Sequence, residues 1–214
     1  KETYDHFKKS RSEITIGSDM HGGRNLASLT SLGRETINMG LPLRSYGPRV
    51  SPSAGLAPPP ADLGRLALHK QARIAVAESC TGGLLGARLT EAAGASTWFA
   101  GGVIAYDEVA KQQVLGVRRS TLKKFGPVSA QTAFEMAAGV VKAMPGATHG
   151  VAITGWAGPD VAPGARRGKV CICCVDRGSG VKKGEFHFKG GRDAVREEAV
   201  EQALLLLGDL LFAK

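Results

Sequence analysis

Residues 75–83 have the sequence Ala-Val-Ala-Glu-Ser-Cys-Thr-Gly-Gly, in which an apolar segment is followed by glycines. The apolar residues over 73–77 predict a short strand buried on both faces, and the glycines predict a helix over about 81–93. Such a strand-to-helix turn would place Ser79 at the carboxyl end of a sheet, near free backbone N–H groups that can hold an oxyanion. Ser79 is therefore a candidate nucleophile, although a simple helix cap formed by Ser79 or Thr81 fits the same pattern.

The segments after this junction alternate between strand and helix patterns. Ser129 is a suitable N-cap for a helix over 130–144, and the glycines at 178 and 180 predict a hairpin turn between strands over 169–176 and 181–188. The other predicted elements are a strand over 99–106, a helix from Asp107, a strand over 151–154 and a final helix after Gly190-Gly191. This order predicts an α/β fold with a mixed, mostly parallel sheet.

The first 64 residues differ from the rest of the chain. Six of the ten prolines lie between Pro42 and Pro60, and no sustained helical or strand period occurs there. We therefore predict an irregular, proline-containing extension or linker over 1–64 and one folded domain over 65–214. The arginines and serines of the extension fit either the remnant of an organelle-targeting region or a plain tail. We accordingly expect the chain in the cytoplasm or in an organelle matrix, the mitochondrial matrix included.

The composition limits the classes of partner. A net charge of +9 suits an anionic ligand or an acidic protein. Aromatic residues make up only 6% and no basic stripe contains stacking residues, so nucleic acid is not expected. No apolar run approaches the roughly 20 residues that cross a bilayer. The cysteines lack the spacing of a zinc site, so we expect reduced, buried thiols and no metal; they are Cys80, Cys171, Cys173 and Cys174.

Polar residues follow three of the predicted strands. Ser79 follows the first, Tyr106 ends the second and Thr154-Gly155 ends the third, and ligands of open α/β sheets bind at such strand ends. Lys111 lies five residues past Tyr106 and can fold back toward the same edge. The histidines have no nearby acid, whereas a buried lysine can act as the base of a serine because burial lowers its pKa. An exposed helical lysine and a strand-end aromatic are the alternatives for Lys111 and Tyr106.

Two glycine-containing segments could bind an anion. Thr81-Gly82-Gly83 offers N–H groups at a helix start. Gly190-Gly191 precedes the last helix, where Arg192 and Arg196 lie one turn apart and could hold a phosphate. Pairing of these arginines with acidic residues of the same helix is the alternative, and the candidates for it are Glu197 and Glu198.

Four segments in this order resemble the CinA C-terminal-domain family, whose members are nicotinamide-nucleotide amidohydrolases. The resemblance runs from about Leu66 to the end of the chain. The segments are Ala-Glu-Ser-Cys-Thr-Gly-Gly at 77–83, Gly-Val-Ile-Ala-Tyr at 102–106 with Ala-Lys at 110–111, Gly-Pro-Val-Ser at 126–129, and Thr-Gly-Trp-Ala-Gly-Pro-Asp at 154–160.

The resemblance implies a three-layer α/β/α sandwich, usually as a homodimer. The implied reaction is hydrolysis of the carboxamide of nicotinamide mononucleotide to nicotinate mononucleotide and ammonia, without a metal or cofactor. The family's catalytic serine, tyrosine and lysine fall on Ser79, Tyr106 and Lys111. Residues 160–163 lack the family's glycine-rich run and Trp156 replaces a smaller residue. The alternative is a catalytically retired domain that serves, through residues 1–64, as a subunit of a larger assembly, an organellar one included.

Overall fold

The computed structural model describes residues 57–159 and 164–213. A short 3-10 turn at Ala95–Thr97 lies between the second helix and the second strand. In chain order, the described elements are α1 (Pro60–His69), β1 (Ile74–Glu78), α2 (Leu84–Thr90), β2 (Phe99–Ile104), α3 (Glu108–Gln113), α4 (Arg119–Phe125), α5 (Ala130–Ala143), β3 (His149–Gly155), β4 (Lys169–Asp176), β5 (Val181–His187) and α6 (Arg192–Phe212).

The five strands form one sheet in the order β2-β1-β3-β4-β5. Strand β1 pairs in parallel with β2 and with β3, whereas β3–β4 and β4–β5 are antiparallel. The mixed sheet is thus confirmed. Four of its five strands run in one direction and only β4 runs opposite to them, so the mostly parallel sheet is confirmed as well. Strands β4 and β5 are joined by the short turn after Asp176, and strands joined by so few residues can pair only antiparallel.

Helices cover both faces of the sheet, so the α/β/α layering is confirmed. Helices α1, α2 and α6 pack on one face, where Leu63, Leu85 and Leu204 contribute to the core. Helices α4 and α5 pack on the other, where Leu122 and Met136 do so. Every residue of β1 is buried because this strand has a helical layer on each side.

The register of the three parallel strands brings their carboxyl ends to one edge. Glu78, the last residue of β1, lies opposite Ile104 of β2 and Ile153 of β3. The next residue continues this alignment, since the Ser79 N–H donates to the Ile153 carbonyl at 3.0 Å. The segments after β1 and β2 and the end of β3 therefore meet at this edge.

The domain begins earlier than the sequence predicts. Helix α1 starts at Pro60 and buries Leu63 in the core, so the predicted boundary after residue 64 falls inside a helix. Proline suits the first position of a helix, because the N–H that it lacks would have no partner there. Pro60 therefore begins a helix, although the sequence pattern assigns it to the proline-containing linker. Most of the predicted extension, residues 1–56, lies outside the described residues. None of the described helices has the length and apolar character of a membrane span.

Candidate active site

The carboxylate of Glu78 fixes the loop between β1 and α2. Its two oxygens accept the backbone N–H groups of Gly83 and Leu85 at 3.0 and 3.1 Å and of Gly86 at 2.8 Å. Glu78 is 1% exposed, so it acts as an internal cap on α2. The predicted cap by Ser79 or Thr81 is therefore wrong. Sequence reasoning missed this role, although an acidic residue that ends a fully apolar strand is the signal that could have revealed it.

The glycines of this loop allow the chain to turn between β1 and α2. Gly82 and Gly83 have φ angles of +61° and +100°, which other residues rarely adopt, so α2 begins only at Leu84. The Gly82 N–H donates to the Ser79 carbonyl at 3.1 Å, and the Gly83 N–H is held by Glu78. Both N–H groups are thus engaged within the protein in this structure, and the binding of substrate by these two glycines stays a prediction.

The structure brings Ser79 and Lys111 together. Lys111 Nζ lies 3.0 Å from Ser79 Oγ and donates to the Ala105 carbonyl at 2.7 Å. The Asp107 side chain accepts from the Ala110 N–H at 2.6 Å and so caps the short helix α3, which carries Lys111 one turn further on. Lys111 is 2% exposed, which excludes the alternative of an exposed helical lysine.

Burial changes the proton affinity of this lysine. Removal of the ammonium from water lowers the pKa of Lys111 below its ordinary value, and the negative charges of Asp107 and Glu108 oppose this only in part. A neutral Nζ has a lone pair that can accept the Ser79 proton, while its N–H groups continue to donate to Ala105. The pair can therefore work as a nucleophile and its base.

Donors for an oxyanion lie next to the nucleophile. Among the described residues, the backbone N–H groups of Cys80 and Thr81 donate to no carbonyl of another residue, which leaves them available to a ligand. Thr81 is fully buried, and its hydroxyl has no hydrogen-bond partner within the same part of the chain. The Cys80 thiol is not a competing nucleophile, because burial raises its pKa to about 11.

The end of β3 forms a wall of the site. The Thr154 hydroxyl is buried and donates to the Pro127 carbonyl at 2.8 Å. A side-chain carbon at Gly155 would lie 3.0 Å from Cys80 Sγ and 2.8 Å from a methyl group of Val170. Thr154 and Gly155 were predicted to bind substrate. In the structure Thr154 is bonded to the segment at Pro127 and Gly155 allows the close approach of Cys80 and Val170, and their binding of substrate stays a prediction.

Two arginines of α6 reach this edge in different ways. Arg192 donates from Nη2 to the Tyr106 hydroxyl at 2.9 Å, and both residues are exposed. Arg196 donates from Nη2 to the Thr81 carbonyl at 2.9 Å and lies 3.5 Å from Asp193 through Nη1. The contact between Tyr106 and Lys111 is a long one of 3.5 Å through the Tyr106 carbonyl, and not through the phenol.

Two further acidic residues of α6, Glu197 and Glu201, pair with another helix. Arg88 of α2 lies 2.9 Å from a carboxylate oxygen of Glu197 and 3.0 Å from one of Glu201. The alternative in which Glu197 neutralises Arg192 or Arg196 is therefore wrong.

Two cavities of about 560 Å³ each lie away from the site, along α5. Phe134 and Lys142 line both of them.

Comparison with known proteins assigns the chain to a family. The profile of the CinA C-terminal domain matches residues 58–211. The chain belongs to the CinA C-terminal domain family. A CinA-like protein from Leptospira biflexa is 40% identical over 148 residues, which is 69% of this chain and 35% of that protein. The chain thus spans about a third of the length of such curated relatives, and a relative from Desulforamulus reducens, 43% identical, is covered over 36% of its length.

Solved structures of the family have the same fold. A CinA superfamily protein from Klebsiella pneumoniae superposes with a TM-score of 0.67 at 33% identity, over 71% of this chain and 94% of that protein. A competence/damage-inducible protein from Agrobacterium tumefaciens gives a TM-score of 0.66 at 34% identity, over 74% and 99%. Nearly the whole of each of these proteins therefore corresponds to the described domain.

Proposed function

We propose that this CinA-family domain is a metal-independent amidohydrolase that deamidates nicotinamide mononucleotide to nicotinate mononucleotide and ammonia. The observation that supports this most is the 3.0 Å distance between Ser79 Oγ and the buried Lys111 Nζ. The choice of substrate depends on the family resemblance and on the arginines at the site. The chemistry needs only groups that the chain itself supplies.

The first half of the reaction forms an ester on Ser79. Neutral Lys111 accepts the Ser79 proton while Oγ attacks the carboxamide carbon, and the oxygen of that group takes the negative charge. The N–H groups of Cys80 and Thr81 hold this oxyanion. Lys111 then gives its proton to the nitrogen, the carbon–nitrogen bond breaks and ammonia leaves.

The second half releases the product. A water molecule loses a proton to Lys111 as its oxygen attacks the ester carbon. Lys111 returns the proton to Ser79 Oγ as the ester bond breaks, and nicotinate mononucleotide leaves as the carboxylic acid, which gives its remaining proton to the solvent and becomes a carboxylate. Every proton taken in one step is returned in a later one, so the enzyme ends in its starting state.

The test is ammonia release from nicotinamide mononucleotide by the purified chain. Ser79→Ala and Lys111→Met should each lower kcat at least about a thousandfold, because residues that act as a unit lose most of the rate when either is removed. Ser120→Ala and Lys123→Met are matched controls on the exposed surface of α4 and should keep full activity. Circular dichroism checks that all four variants are folded.

Two results would contradict the proposal. Full ammonia release by the Ser79 or Lys111 variant would remove these residues from the chemistry. No ammonia release by the folded wild-type chain would favour the retired domain, and pull-down experiments with and without residues 1–56, which leave helix α1 intact, would then seek its partner.

A further inference from the structure

The main chain and the phenol of Tyr106 contact different parts of the site. Its main chain lies on the side of Lys111, whose Nζ donates to the preceding carbonyl, that of Ala105, at 2.7 Å. Its phenol is 61% exposed and accepts a hydrogen bond from Arg192 at 2.9 Å. A proton relay needs the phenol within hydrogen-bond reach of the nucleophile or the base. The phenol instead joins an arginine that lies 86 positions further along the chain.

We propose that Tyr106 is a positioning residue that orients Arg192 to receive the phosphate of the substrate, and not a proton relay. This inference rests on the proposed function, because it takes the substrate to be a phosphorylated nucleotide. It gives Tyr106 a role in the choice of substrate and leaves the chemistry to Ser79 and Lys111.

The donors that remain free on the pair suit an anion. Arg192 uses one N–H on Tyr106, and the rest of its guanidinium fork is available for two parallel hydrogen bonds to a phosphate. The Tyr106 oxygen acts as the acceptor in this contact, so its own O–H can donate to the same anion. An arginine held in place by a neighbour loses less side-chain freedom when it binds.

Arg196 is not equivalent to Arg192. Its guanidinium already donates to the Thr81 carbonyl at 2.9 Å and lies near Asp193, and its side chain is 29% exposed. It therefore supports the loop that carries the nucleophile. Arg192 is the exposed arginine, and its charge lies close enough to the Cys80 thiol to lower the pKa of that group, against the larger effect of burial. It is thus placed near Ser79 and open to solvent.

The experiment measures binding with the nucleophile removed. In the Ser79→Ala background, calorimetry gives the Kd of nicotinamide mononucleotide and of nicotinamide riboside, which lacks the phosphate. Tyr106→Phe removes one oxygen and should weaken binding of the mononucleotide about fivefold, the worth of one hydrogen bond. Arg192→Gln should weaken it tenfold or more, and the double variant no further. Binding of the riboside should stay unchanged, and Arg119→Gln, an exposed arginine of α4, is the matched control.

Kinetics of the active chain separate positioning from relay. Tyr106→Phe should raise KM for the mononucleotide with kcat within about twofold of the wild type and with the same pH profile. A relay would lower kcat about a hundredfold and change that profile. Such a loss of kcat, or equal weakening of mononucleotide and riboside binding, would overturn the inference.

The two proposals fail separately. Absence of ammonia release with intact, Tyr106-dependent mononucleotide binding would contradict only the proposed function. Ammonia release that depends on Ser79 and Lys111, with the mononucleotide bound equally well by Tyr106→Phe and by its parent, would contradict only the role of Tyr106. No mononucleotide binding by the Ser79→Ala protein would contradict this inference as well.

Discussion

The site has a buried half and an exposed half. Desolvation dominates in the first, and hydration and salt screening dominate in the second. Glu78, Ser79 and Lys111 are 1%, 7% and 2% exposed, whereas Tyr106 and Arg192 lie in solvent. Burial shifts the pKa of a base and holds hydrogen bonds in one geometry. Exposed charges keep their hydration and are screened by salt. Changes in the buried half should therefore alter kcat and stability, and changes in the exposed half should alter ligand affinity.

The largest effect on stability should come from Glu78. Glu78→Ala leaves three backbone N–H groups without an acceptor, so the free energy of unfolding should fall by about 3 kcal/mol or more. The loop that carries Ser79 would shift, and kcat should fall about a hundredfold with it. Urea unfolding and steady-state kinetics measure these two quantities.

Matched variants of this carboxylate sharpen the result. Glu78→Gln keeps one oxygen as an acceptor and should lie between Glu78→Ala and the wild type. Glu91→Gln changes an exposed carboxylate that lies 3.5 Å from Arg88 and should change stability by less than about 0.5 kcal/mol. If Glu78→Ala proves as stable and active as Glu91→Gln, the carboxylate does not hold the loop.

An intermediate effect should appear in the pH dependence of stability. The folded-state pKa of Lys111 is lowered, so between that value and the ordinary one of about 10.4 the unfolded chain binds more protons. Wild-type stability should therefore rise with pH across this window, relative to Lys111→Met. The stability of both proteins is measured by urea unfolding from about pH 6 to about pH 10.4, the upper end of this window. If the difference in stability between the two proteins does not change with pH, burial does not lower the pKa of Lys111.

The smallest effect concerns salt and tests the exposed half. An increase in ionic strength from about 0.05 M to about 0.5 M should raise KM for nicotinamide mononucleotide a few-fold, because it screens Arg192. The same change should leave kcat nearly constant, because the Ser79–Lys111 pair is buried. A fall in kcat with a constant KM would invert the assignment of the two halves.

The sequence predicts the buried half better than the exposed half. The sequence predicts that Ser79 and Lys111 lie close together, because parallel strands end at one edge of a sheet. Asp107 marks the start of the short helix that carries the lysine. Their roles in catalysis stay predictions. The capping role of Glu78 was missed because its donors lie five to eight residues away, beyond a loop with two left-handed glycines.

The partners of the exposed half could not be predicted from local patterns. Tyr106 and Arg192 meet only because β2 and the start of α6 reach the same edge of the folded sheet. The contact of Arg196 with the Thr81 carbonyl likewise joins residues 115 positions apart. Sequence spacing showed that the arginines were available for an anion, but the fold decides which of them is already engaged.

The most direct test of the Ser79–Lys111 pair is the pH dependence of kcat/KM for nicotinamide mononucleotide. We predict an acidic limb that reports the loss of the Lys111 proton, with an apparent pKa below the ordinary value of about 10.4. Glu108 raises the pKa of Lys111 through its charge, so Glu108→Gln should move this limb to lower pH at low ionic strength. A profile without an acidic limb, or a limb that stays in place in Glu108→Gln, would contradict the assignment of Lys111 as the base.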